Sequence, residues 1–120
     1  MFTTMQRVAV AAALGLASFV ASANADFMLV NRTGFDLREI YISPANKNSW
    51  GRDRLGRNLL ENGRSRKFVF ADTASCVQDL KVIFDDDGSE AIWEDFNLCE
   101  LDKITLKYNR RTREVTAETE

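Results

Sequence analysis

Histidine is absent from this 120-residue chain, and proline occurs once, at Pro44. Without imidazole there is no Ser-His-Asp or Cys-His nucleophile system and no His-ligated zinc, copper or haem. Cysteine is nearly as scarce, with Cys76 and Cys99 the only thiols. Their spacing excludes a Cys-x-x-Cys redox pair. Long hydrophobic runs are missing too. Val8 to Val20, the longest at 13 residues, is too short to span a bilayer comfortably. What remains is 45% hydrophobic and 28% charged, a globular composition rather than a disordered, collagenous or membrane-embedded one.

The amino-terminal segment reads as an export signal. Met1 to Arg7 carries one positive side chain, the apolar run follows, and Ala23-Asn24-Ala25 supplies the small-x-small cleavage pattern. This predicts a cleaved secretory signal peptide over residues 1–25. No twin-arginine pair precedes the apolar run, and no cysteine stands at the cleavage point for lipid attachment. Residues 26–120 then form a single domain, periplasmic or secreted, with no stable membrane insertion after cleavage. An oxidising compartment lets Cys76 and Cys99 pair. The intervening Asp87-Gly88 is a strong two-residue hairpin signal. A turn there sets Cys76 opposite Cys99, Val82 opposite Trp93 and Lys81 opposite Glu94. It also sets Leu80 opposite Asp95, a poor pairing that predicts a bulge near Asp95.

Strand signals recur at short intervals. They fall at Phe27–Asn31, Phe35–Ser43, Arg66–Ala71, Cys76–Phe84, Glu90–Leu98 and Lys103–Tyr108, with a last edge strand over Thr112–Ala117. Apolar residues on both parities of Phe35–Ser43 predict a central strand. Trp93 reads as core, and the tail Glu118-Thr119-Glu120 reads as frayed. The stretch from Ala45 to Gly63 has no clean period and reads as a long loop, with one or two helical turns over Asp53–Leu60 capped by Asp53. The expected fold is all-β, a small antiparallel β-sandwich of six or seven strands with one disulfide.

Charge is unevenly distributed. Asp26 to Lys67 carries nine bases against five acids, whereas Phe68 to Asp102 carries one base, Lys81, against ten acids. Either the surface is dipolar and steers a charged partner, or basic and acidic strands lie side by side and neutralise. Two segments stand out as candidate sites. Trp50, Arg52, Arg54 and Arg57 occupy one glycine-containing loop, where arginine forks suit carboxylate or phosphate and the indole suits stacking. The other reading of that loop is structural, with Trp50 plugging the sandwich end and Asp53 pairing an arginine. Asp85, Asp86, Asp87 and Glu90 crowd the hairpin turn and offer oxygen ligands to Ca²⁺. Their spacing fails the EF-hand, because its first position falls on Ile83. Carboxylate pairs for glycoside hydrolysis lack a deep cleft in so small a domain. No catalytic residue and no cofactor is expected, Ca²⁺ being the one candidate ion. Nucleic acid is excluded as a partner by the net acidity and the compartment.

The order Asn31-x-Thr33-Gly34, Tyr41-Ile42-Ser43-Pro44, Trp50-Gly51-x-Asp53-x-Leu55-Gly56 and the two cysteines resembles a family of small, exported, uncharacterised proteobacterial single-domain proteins. The resemblance covers nearly the whole of residues 26–120 and brings no activity or catalytic residues with it. Some similar proteins carry an argininosuccinate lyase label. That activity is not expected here, because such lyases are large helical tetramers and no helical pattern runs through this chain. The expected function is a non-catalytic binding or interaction module of the cell envelope, its partner an envelope protein or an anionic ligand. The alternative is a Ca²⁺-binding or Ca²⁺-stabilised envelope domain.

Overall fold

Alternating apolar and polar residues shape most of the chain, because side chains on a strand point to opposite faces. In the computed structural model, residues 24–120 are described, and they hold seven strands. These are β1 (Phe27–Arg32), β2 (Leu37–Pro44), β3 (Ser65–Phe68), β4 (Val77–Phe84), β5 (Glu90–Asn97), β6 (Lys103–Asn109) and β7 (Glu114–Thr119). They form two sheets, ordered β3-β1-β6-β7 and β2-β4-β5. Phe27, Leu29, Ile104 and Leu106 from one sheet meet Ile40, Ile42, Leu80, Val82 and Phe84 from the other in one core. Each such side chain contributes about 2 kcal/mol by leaving water. The expected export segment falls, through residue 23, outside the described residues.

The β-sandwich, its seven strands and the Cys76–Cys99 disulfide agree with the sequence reading. Several details differ. One pair, β1 with β6, is parallel in an otherwise antiparallel arrangement. Strand β2 is an edge strand, not a central one. A register shift between Leu37 and Glu39 brings Leu37, Ile40 and Ile42 to the buried face together. That shift is why both parities carry apolar residues. The β4–β5 turn holds four residues, Asp85 to Gly88, closed by Phe84 N–H to Ser89 O and by Gly88 N–H to Phe84 O. Accordingly Leu80 faces Trp93 and Lys81 faces Ile92, two positions off the two-residue-turn register. The bulge falls where expected. Asp95 adopts φ 64° and gives its N–H to Asp79 Oδ1, and the ladder shifts between Gln78 and Leu80. Trp93 is half-buried at the rim of the core. The tail is paired, not frayed: Glu120 exchanges backbone hydrogen bonds with Lys103, and Lys107 meets Glu118 at 3.0 Å.

Candidate functional site

The loop between β2 and β3 has no helix. Asp53 acts as a strap instead of a cap. Its Oδ1 accepts from Leu55 N–H at 3.0 Å and from Ile40 N–H, on the outer edge of β2, at 2.9 Å. Arg54 N–H donates to Ile40 O, and Leu60 exchanges two backbone bonds with Leu37. Leu55 and Leu60 are buried in the core. The loop thus covers the β2 edge as a broken extra strand, which also shields that edge from unwanted pairing.

This strapping places the four loop residues differently. Arg54 is half-buried, its guanidinium 4.9 Å from the Phe70 ring centroid and 3.4 Å from Ile42 O. Burial, and then the nearby charge of Arg52, pulls its pKa below the ordinary arginine value. Arg52 is exposed and shares two adjoining clefts with Arg54. One cleft is walled by Trp50 and Lys47. The other, about 420 Å³, runs between the loop and β3 and is lined by Arg52, Arg54, Arg66 and Lys67. Its one carboxylate, Asp53, is bonded inward to backbone N–H groups. Trp50 is half-buried beside Lys81, whose ammonium lies 5.2 Å from the Trp50 ring and 4.8 Å from the Tyr41 ring. Arg57 is exposed and lines neither cleft. Of the four expected residues, three gather and Arg57 stands apart. Arg66 and Lys67 were not singled out in sequence. The basic excess through Lys67 was their one signal, since nothing local ties β3 to a loop ten residues earlier.

The acidic turn does not gather a ligand set. Asp87 Oδ1 accepts from Ser89 N–H and Ser89 Oγ–H, which holds its carboxyl below the usual range. Among the described residues, no three acidic or cysteine side chains converge where a metal ion could be held. Asp85, Asp86, Asp87 and Glu90 all stand exposed at the hairpin end. Asn31-Arg32-Thr33 has the form of a glycosylation sequon, but its asparagine is otherwise engaged. Asn31 is fully buried, donating to Phe35 O and Leu60 O and accepting from Thr33 N–H and Thr33 Oγ–H. It is a structural tie between β1 and the end of the loop, with no exposed nitrogen for a glycan.

Fold and site together define a seven-stranded, disulfide-bridged β-sandwich with an arginine-lined cleft on one flank. Comparison with protein-family models, with curated proteins and with solved structures finds no match to this chain.

Proposed function

We propose that this protein is an exported, non-catalytic binding module of the cell envelope, periplasmic or secreted, whose contact surface is the basic cleft between the Trp50–Arg57 loop and β3. The observation that carries this reading is the convergence of Arg52, Arg54, Arg66 and Lys67 on one cleft whose single carboxylate is already bonded inward. Guanidinium forks held in place suit bidentate capture of carboxylates. The partner is an envelope protein presenting acidic side chains. The lack of histidine and the openness of the clefts favour binding over catalysis, and the disulfide suits an oxidising compartment.

The test is cross-linking of the tagged mature protein in living cells, with an Arg52→Ala/Lys67→Ala double variant as control. Both side chains are exposed, so the variant should melt like the parent. The expected result is one dominant envelope partner, lost in the variant. A partner retained unchanged by the variant, or no specific partner, would sink the reading.

A further inference from the structure

The two flanks of the sandwich are finished differently. On the β2/β3 flank, the loop puts Leu55 and Leu60 into the core and bonds its backbone to the β2 edge. On the opposite flank, β5 and β7 end their sheets, and no strand among the described residues pairs with either outer edge. Between them runs an open groove of about 460 Å³, floored by Ala91, Trp93, Val115 and Ala117. These residues pack against the core yet remain partly exposed. Three of the four are small, so the core reaches water along this seam.

The groove continues, through Val115, into a second hollow of about 290 Å³ beside the β4–β5 turn. Phe35, Phe84 and Tyr108 line it, with Phe35 edge-on to both other rings. Asp86, Asp87 and Glu90 lie at its mouth against one base, Arg113. Along the groove and hollow, Glu90 stands exposed on β5 and Glu114 on β7. None of these carboxylates takes part in an ion pair among the described residues.

We infer that this groove takes an extended segment of another protein, alternating basic and apolar residues, added as a strand against the β5 or β7 edge. Free edge N–H and C=O groups supply backbone pairing, and pockets for alternate side chains supply selection. Apolar side chains would cover Trp93 and its small neighbours, as Leu55 and Leu60 cover the other flank. The alternate lysine or arginine side chains, projecting outward, would meet the exposed carboxylates of Glu90 and Glu114. The charge is opposite to that of the Arg52 cleft, so the two surfaces select different partners.

The probe is an acetylated, amidated octapeptide of alternating Lys and Val, matched to the eight residues of β5. Binding is followed by amide chemical shifts and hydrogen exchange in the folded domain. The expected result is saturable binding with new protection confined to β5 and β7, weakened about tenfold by Glu90→Lys/Glu114→Lys, an ordinary loss for interface side chains. The Arg52→Ala/Lys67→Ala variant should bind this peptide like the parent, which separates this site from the basic cleft. Equal binding of an alternating Glu-Val peptide would overturn the charge argument. Equal binding of the Lys-Val peptide N-methylated at every residue would overturn strand addition. No binding at millimolar peptide would overturn both. Concentration-dependent dimers with protected β5 and β7 amides would make a second copy the occupant and end the proposal.

Discussion

Asn31 shows how much one buried polar side chain can hold. Its amide is satisfied on every side, so removing it leaves the Thr33 N–H without its partner in a dry site. Asn31→Ala should lower stability by about 3 kcal/mol in denaturant melts, the upper range for lost buried hydrogen bonds. A loss within experimental noise would contradict the network. Glu39 and Tyr41 give a pH-dependent counterpart. The Tyr41 hydroxyl donates to Glu39 Oε1; that bond, more than the neighbouring Arg38, holds Glu39 below the usual carboxylate range and pushes Tyr41 up to about 12. A lowered Glu39 stabilises the fold above its unfolded value and loses that contribution as pH falls through the folded one. A raised Tyr41 stabilises below about pH 10 and loses that contribution as pH climbs towards 12. Both groups are near the surface, so the effect on melting is small. The readable signal is spectroscopic. The difference in phenolate absorbance between the parent and Tyr41→Phe should rise only as pH nears 12, and a rise near 10 would show the bond is absent in solution.

Among the elements, the β2–β3 loop depends on Asp53 more than on its arginines. Asp53→Ala removes the acceptor of Ile40 N–H and Leu55 N–H together, costing about 2 kcal/mol. It should also speed hydrogen exchange at Ile40 and Leu55 selectively. Asp53→Asn keeps an acceptor and should restore most of the protection. Exchange unchanged in Asp53→Ala would mean the strap is not what seats the loop. This element was half legible in sequence. Its length, lack of period and special Asp53 were readable. A helical turn was the wrong form, because the bonds that fix the loop come from β2, thirteen residues away. Strand β2 was misjudged for a related reason: a bulge between Leu37 and Glu39 mixes parities, and a mixed pattern imitates a strand buried on both faces.

For the whole molecule, Cys76 and Cys99 bridge at a Cα separation of 5.2 Å across 23 residues. Chain-entropy reasoning gives about 3 kcal/mol for a loop of this size. A Cys76→Ser/Cys99→Ser variant should lose about that much in reversible melts, and protein folded under oxidising conditions and then denatured should show no free thiol. Two titratable thiols would contradict the bridge. Charge is a molecular-scale property as well. No ion pair among the described residues joins the basic segment before Phe68 to the acidic segment after it. Basic side chains gather beside β3 and acidic ones at the hairpin, but Arg38 and Arg113 reach the hairpin and Lys47 sits with Asp79 and Glu94, so the separation of charge is partial.

Sequence alone determined the all-β class, a count of six or seven strands and the cysteine pairing; the bulge at Asp95 was located correctly, but from a Leu80–Asp95 pairing that the four-residue turn does not make. Class and count follow from period-two patterning, and the pairing from two lone thiols flanking one hairpin, all of them features of residues close along the chain or across one hairpin. Tertiary structure alone decided the strand order, the parallel β1–β6 pair, the four-residue turn and the split between a closed flank and an open one. It also decided that Arg66 and Lys67 join Arg52 and Arg54 while Arg57 does not. These outcomes rest on contacts between distant segments. A linear pattern can say that a strand has an edge, but which loop arrives to cover it depends on how the two sheets pack.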